Sequence, residues 1–326
     1  MKITVIGAGA MGGSYGGLLA MAGHEVSLLD TWAAHVDAIN RDGLRVDGVR
    51  GDHRVPAAAS TGPIGDGAEL AIVFVDANNT AAAAETARRV LAPDGFAVTF
   101  QNGIGNVEQL QAALGPERVL GGSSMCSAAT VGPGHVRLTH LGKTSIGETD
   151  GVVRPRATRL AEILEDAGFE TAIVPDVMAV IWEKFALNCC INAIAATTGL
   201  RAGEMARLPE LDAFQDRIIA EVMTVTEAKG IRLPTPDLPA KIKAQCRKKF
   251  NKPSMLQHVE AGRRTEIDAL NGALLREAAA LGIVTPYNEA LVALLKGREL
   301  HEMRAIHEPD LDYAAWEARI ARGEEN

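Results

Sequence analysis

Gly7-Ala8-Gly9-Ala10-Met11-Gly12 reads as G-x-G-x-x-G, and its surroundings decide what kind of domain opens this chain. Lys2-Ile3-Thr4-Val5-Ile6 before it is a short apolar, β-branched run suited to a buried parallel strand, and Met11 to Ala22 after it has the pattern of a helix. The next apolar run, Val26-Ser27-Leu28-Leu29, ends in Asp30, close to the ~20-residue spacing expected of a ribose-binding carboxylate. Gly7 permits the tight turn, Gly9 lets backbone approach a pyrophosphate, and Gly12 lets helix pack on strand. The helix's unpaired N–H groups and positive dipole end then face the phosphates. A glycine-rich turn with no ligand would leave the second strand and its terminal carboxylate unexplained. The reading is a Rossmann-type nucleotide site built from Gly7, Ala8, Gly9, Ala10, Met11, Gly12 and Asp30.

Asp30 also bears on cofactor choice. A carboxylate accepts hydrogen bonds from ribose hydroxyls but repels a 2′-phosphate. Thr31 follows it, with no adjacent arginine to neutralise a phosphate; Arg41 and Arg45 are the nearest that could fold back. The expectation is NAD(H) in preference to NADP(H).

Beyond Asp30, Thr31 to Asn40 reads as a helix and Leu44 to Pro56 as a hairpin or edge strands. Leu70 to Val75 is a buried strand, Ala81 to Leu91 a helix, Phe96 to Phe100 a strand and Val107 to Leu114 a helix. Such alternation gives βαβ units and a parallel sheet, whose ligands lie beyond the carboxyl ends of the strands. Asp30, Asp76 to Asn79 and Gln101-Asn102-Gly103 stand at those ends. The amides of Gln101 and Asn102 could bind a carboxamide or ribose, although an Asn-Gly turn needs no ligand. Val119 to Ile146 shows short β runs around Gly132-Pro133-Gly134 and reads as an antiparallel extension of the sheet. A helix over Arg156 to Ala167 and a strand over Thr171 to Val174 complete the half. Pro175 and Asp176 mark a boundary: residues 1–175 form the α/β nucleotide-binding domain, and 176–326 an all-α substrate and catalytic domain.

The chain has 326 residues, 47% hydrophobic and 23% charged, with a net charge of −8. That size suits two domains, and the acidic balance argues against a nucleic-acid partner or an anionic membrane. Arg247-Lys248-Lys249 reads as a solvated helix end. The amino-terminal apolar stretch lacks a charged leader beyond Lys2, and no other apolar run of about 18 residues is read, so a cytoplasmic protein with no membrane partner is expected. Cys126, Cys189, Cys190 and Cys246 show no metal-ligand spacing and read as small reduced core residues, so no metal is expected.

In the helical half, Met178 to Thr198 carries Lys184, Asn188 and Asn192 at i, i+4 and i+8, on one face of a helix. Asn competes for backbone hydrogen bonds, so two aligned with a lysine need a reason. A solvent-facing stripe is one; the apolar neighbours all round favour a polar face lining a cleft. Farther on, Ser254 is placed like an N-cap, and Glu266 like an acidic residue opening a helix, roles that would explain each without chemistry. The helix over Glu289 to His307 has one apolar face, which packs on its own domain or on a second subunit as a homodimer; periodicity leaves both open.

Taken together, the G-x-G-x-x-G with Gly23-His24-Glu25-Val26, the Gln101-Asn102-Gly103 loop, the Lys184/Asn188/Asn192 helix, and Ser254 followed by Arg264-Thr265-Glu266-Ile267-Asp268 and Asn271-Gly272 resemble the ketopantoate reductase (2-dehydropantoate 2-reductase) family over nearly the whole chain. The resemblance implies a pantothenate-biosynthesis type of oxidoreductase that transfers hydride from NAD(P)H to the C2 carbonyl of a small-molecule 2-oxo acid. It implies Lys184 as general acid, Glu266 binding a substrate hydroxyl or tuning Lys184, Asn188, Asn192 and Ser254 holding substrate, and Asn102 beside the nicotinamide ribose. The chain departs from the family at Thr31, where many members carry an arginine that goes with NADPH, and at Asp76, where a lysine is usual. Two other readings stay open: an NAD-dependent dehydrogenase of another branched or aromatic 2-hydroxy acid, and a non-catalytic dinucleotide sensor.

Overall fold

In a computed structural model that describes residues 1–63, 67–307 and 312–324, the amino-terminal half is a mixed α/β domain and the remainder is helical. Its strands are β1 (Lys2–Ile6), β2 (Glu25–Leu29), β3 (Leu44–Gly48), β4 (His53–Val55), β5 (Ala58–Ser60), β6 (Ala68–Val73), β7 (Leu91–Thr99), β8 (Val119–Ser124), β9 (Ser127–Gly132), β10 (His135–His140), β11 (Thr144–Gly147) and β12 (Thr171–Ile173). Helices α1 (Ala10–Met21), α2 (Ala33–Asp42), α3 (Thr80–Val90), α4 (Asn106–Leu114) and α5 (Pro155–Asp166) connect them.

The main sheet has eight strands in the order β12-β11-β8-β7-β6-β1-β2-β5. All neighbours in it are parallel except β11 and β8. The register sets Ile6 beside Leu29 and Val73, and Val73 beside Thr99. The residues that follow, Gly7, Asp30, Phe74 to Asp76 and Phe100 to Asn102, therefore emerge along one edge. That is where a doubly wound sheet binds its ligand.

Val119 to Ile146 corrects the expected antiparallel extension. β8 continues the sheet parallel to β7, and only β11 returns antiparallel. β9 and β10 leave it altogether, joining the β3–β4 hairpin in a second sheet ordered β4-β3-β10-β9, in which β3 and β10 run parallel. Helix α1 lies between the two sheets. A Cβ on Gly16 would come within 2.6 Å of Leu28 in β2, and one on Gly17 within 2.5 Å of Val46 in β3. Only a helix without side chains on those faces fits so thin a gap.

The helical half comprises α6 (Val177–Thr198), α7 (Ala202–Met205), α8 (Pro209–Ala228), α9 (Leu238–Cys246), α10 (Ser254–Glu260), α11 (Asn271–Ala280), α12 (Pro286–His307) and α13 (Tyr313–Ala321). Asp176 caps α6 by accepting from Ala179 N–H at 2.9 Å, and Gly199 ends it with φ +79°. By length and composition α6 could cross a membrane, which corrects the expectation that no such run exists; most of it is buried inside this fold. It packs on β8, α8, α10 and α12. Its core is continuous with the sheet face under α3 and α4, while α1, α5 and the second sheet enclose a separate core on the opposite face. Helix α12 buries Leu291, Val292 and Leu295 against its own domain and leaves Leu294, Leu300 and Ile306 exposed.

Candidate active site and nucleotide cleft

The glycine-rich turn is built as its residue types require. Gly7 has φ +92°, and its N–H and that of Ala8 both donate to the Leu29 carbonyl, at 2.8 and 3.0 Å. A Cβ on Gly12 would sit 1.8 Å from the Gly7 carbonyl oxygen, so helix and strand meet here with no room for a side chain. Gly9 differs: a Cβ there would meet nothing within 4 Å. It is the N-cap of α1, with no side chain closing the helix end and no acidic residue in the first turn. Open space, a free helix N-terminus and the absence of negative charge suit a pyrophosphate. At the end of β2, the Asp30 carboxylate accepts from the Trp32 N–H at 2.9 Å and is only partly buried.

Across the edge lies the polar stripe of α6, which faces the α/β domain instead of solvent. Lys184 Nζ donates to the Ser124 carbonyl at the end of β8, at 2.8 Å. Asn188 makes a long hydrogen bond, 3.5 Å, to the Asn102 side-chain oxygen, and Asn192 is buried one turn farther on. Burial pushes the Lys184 ammonium down to about 8, although the Glu266 carboxylate and the Cys126 thiol draw it back up. Cys126 is half-buried; Cys189 and Cys190 are fully buried, and burial pushes both thiols well up, which makes them inert. Tyr15 fixes the end of β8 from behind, its hydroxyl meeting the Ser124 hydroxyl at 2.9 Å and that of Thr144 at 2.8 Å. Neither Ser124 nor Cys126 belongs to a sequence motif; only the path of β8 past α6 brings them to Lys184.

Glu266 does not open a helix. It precedes a single 3₁₀ turn, Ile267–Ala269, and its carboxylate, 8% exposed, accepts from Ala77 N–H at 2.9 Å. Burial pushes its carboxyl up and Asp76 adds to that shift, while the Ala77 N–H, the Asn102 amide and Lys184 oppose it. The neighbouring Asn78 amide donates to the Thr265 carbonyl at 2.9 Å, and Ile104 N–H meets the Ala269 carbonyl at 3.4 Å. Gly103, with φ +89°, allows that approach; a Cβ would stand 2.4 Å from the Ala269 oxygen. Gln101 spends its amide locally, donating to Val75 and Thr80 at 2.8 and 3.0 Å, and so serves the loop.

Ser254 is not an N-cap. Pro253 holds that position and Ser254 is the exposed first residue of α10, which packs on α6. Capping therefore does not account for it, and it stands apart from the contacts joining Lys184, Glu266, Asn188 and Asn102. Farther along α10, burial and Arg263 lower the His258 imidazole, opposed by exposed Asp76 across the cleft. Asn271 is a buried cross-link, donating to the Cys189 carbonyl at 3.1 Å and the Asn288 side chain at 2.8 Å. A cavity at the opposite end of the strands lies beside Glu69, Phe96 and Arg159; its Arg159 is already paired with Glu69 at 2.7 Å. Among the described residues no cluster of His, Cys, Asp or Glu could hold a metal ion.

Two family models match the chain: "Ketopantoate reductase PanE/ApbA" over residues 3–151 and "Ketopantoate reductase PanE/ApbA C terminal" over 176–299. A 2-dehydropantoate 2-reductase of Archaeoglobus fulgidus is 32% identical over 91% of this chain and 98% of its own length. One of Halobacterium salinarum is 31% identical over 91% and 98%. Among solved structures, a PanE/ApbA family ketopantoate reductase from Ralstonia eutropha JMP134 superposes with a TM-score of 0.87 at 34% identity, covering 93% of this chain and 99% of that one. D-mandelate dehydrogenase with NADH and anilino(oxo)acetate superposes at 0.85 with 25% identity, covering 93% and 99%.

Proposed function

The chain belongs to the ketopantoate reductase family, and from that premise we propose that it reduces a 2-oxo acid with NADH in preference to NADPH, using Lys184 as general acid. The chain is an oxidoreductase of the ketopantoate reductase type with a nicotinamide dinucleotide cofactor. Residues 1–175 would carry the dinucleotide and 176–326 the substrate, in the cytoplasm. One observation carries the catalytic assignment: a half-buried lysine ammonium that interacts with a buried carboxylate, Glu266, at a junction where the Asn188 and Asn102 amides meet.

When bound, the reduced nicotinamide supplies a hydride to the C2 carbonyl carbon of the substrate. Lys184, largely protonated at neutral pH with its ammonium pushed down to about 8, would stabilise the oxyanion and then give it a proton. Solvent returns that proton, so each turnover consumes one hydride equivalent and one proton and yields the 2-hydroxy acid. Glu266 would hold a substrate hydroxyl and keep Lys184 charged, while Asn188, Asn192 and Ser254 would bind the carboxylate and remaining hydroxyls. Asn102 would lie against the nicotinamide ribose. Asp30, followed by Thr31 without an arginine, favours a ribose with free hydroxyls.

A second reading concerns the substrate. The similarity to D-mandelate dehydrogenase holding NADH, together with the exposed Asp76, favours another branched or an aromatic 2-oxo acid over ketopantoate itself. Parallel steady-state assays of NADH and NADPH oxidation, with ketopantoate and a panel of branched and aromatic 2-oxo acids, test both. Faster NADH oxidation with any of these acids supports the proposal, and the best acid names the substrate. Tight NADH binding without turnover of any of them would make the protein a sensor.

A further inference from the structure

We propose that His35 is a positioning residue for the cofactor loop: by holding the Ala8 carbonyl, it turns the Gly9 N–H toward the pyrophosphate of a bound dinucleotide. The inference rests on the reading that residues 7–12 hold a dinucleotide, and it gives a role to a buried imidazole that the chemistry above does not use.

His35 lies on α2 with 0% of its surface exposed. The Gly134 N–H, which can only donate, stands 3.0 Å from Nδ1. Nδ1 must therefore present its lone pair, which puts the ring hydrogen on Nε2. Nε2 is 3.0 Å from the Ala8 carbonyl oxygen, which can only accept. The direction of both bonds is thus fixed by their partners.

The consequence follows from the peptide unit. In a planar trans peptide the C=O and the next residue's N–H point to opposite sides. With the Ala8 oxygen held against His35, the Gly9 N–H points away from it. Gly9 is the N-cap of α1 and the residue beside which the structure leaves open space. One ring nitrogen therefore orients a donor at the positive end of the helix, where an anion is favoured. The other nitrogen ties the ring to Gly134, in the turn between β9 and β10, so the second sheet braces the loop. Trp32 completes the arrangement, stacked on the imidazole at 5.2 Å with an interplanar angle of 7°.

The competing view is that His35 only staples two loops together. The two ring nitrogens separate the views, since only Nε2 bears on Gly9. In His35→Gln the amide nitrogen reaches about as far as Nε2 and restores the donor to Ala8. In His35→Asn the side-chain oxygen stands near the place of Nδ1 and restores only the acceptor for Gly134. Binding of NADH, ADP-ribose and adenosine to the full-length protein is measured by titration calorimetry for wild type, His35→Ala, His35→Gln and His35→Asn. NADH and ADP-ribose carry the pyrophosphate; adenosine does not.

His35→Ala and His35→Asn are expected to weaken NADH and ADP-ribose roughly ten-fold, the size of one lost hydrogen bond. His35→Gln should recover most of that loss, and adenosine should bind all four proteins alike. Equal losses in the Gln and Asn variants, or an equal loss for adenosine, overturn the proposal. If His35→Ala does not fold, the Gln and Asn pair decides. Wild-type protein that fails to bind ADP-ribose takes down the dinucleotide reading itself, whereas wild-type binding that no variant alters takes down only the role of His35.

Discussion

Lys184 is poised by two opposed effects, burial that disfavours its charge and Glu266 that restores it. Lys184→Ala should lower turnover by on the order of 10²-fold or more with NADH affinity nearly intact, because a general acid acts on the reacting oxygen; unchanged turnover in the folded variant removes the assignment. The reductive rate should fall as pH rises through about 8, where Lys184 gives up its proton. Glu266→Gln removes the anion that favours the ammonium, so the alkaline limb of the rate profile should move to lower pH. A limb that stays in place would mean that Glu266 does not tune Lys184. At Asp30, exchange to Ala should erode the preference for NADH over NADPH in kcat/KM, and an unaltered ratio would leave that carboxylate without its role. One-face spacing made Lys184 legible in the sequence and a strand end made Asp30 so, because both are local patterns, whereas Glu266 entered only through the family resemblance. The sequence could not reveal Ser124 and Cys126 beside Lys184, which arrive from a distant strand, nor that Ser254 is the first helical residue after a proline cap.

The strands and helices of the nucleotide-binding half were readable for the same reason: apolar runs of β-branched residues alternate with helical spacing, and each βαβ unit is a short-range pattern. The second sheet was not. Its central pair joins Arg45 to His135 and Val46 to Val136 in parallel, and no local pattern encodes a partner so far along the chain. The glycines of α1 hold the missing clue, because Gly16 and Gly17 face different sheets. Two substitutions, one at the N-cap of that helix and one in its first turn, separate packing from binding. Gly12→Ala drives a methyl group against the Gly7 carbonyl oxygen and should lower the thermal midpoint by roughly 5 °C or more, an overpacking effect. Gly9→Ala meets no protein atom and should leave the midpoint nearly unchanged while weakening NADH. If Gly9→Ala destabilises the fold and leaves NADH binding intact, the space beside it is not a phosphate site.

Across the whole molecule, the two halves are joined at the cleft by the groups assigned to chemistry. Ala77 N–H to Glu266, Asn78 to Thr265, Lys184 to Ser124 and Asn188 to Asn102 are all bonds between the halves. A ligand that claims Lys184 or Asn188 must take them from these partners, so binding and the hold between domains are linked. Asn78→Ala removes one of these bonds without touching a group assigned to chemistry and should cost about 1 kcal/mol of stability. It should also raise amide exchange around residues 265–269, and unchanged exchange there would show that this bond does not help to hold the halves together. Helix α6, at the centre of this junction, has a history set by its own composition. Its 22 residues are apolar enough to enter a bilayer, and besides β8 its cover comes from α8, α10 and α12, all later in the chain. As the polypeptide leaves the ribosome, α6 can meet β8, already made, but its cover is complete only when more than a hundred residues have followed it, through His307. For those seconds of synthesis it is the segment a chaperone or a translocation machine would recognise, and a chain truncated before α12 keeps that greasy surface open to aggregation.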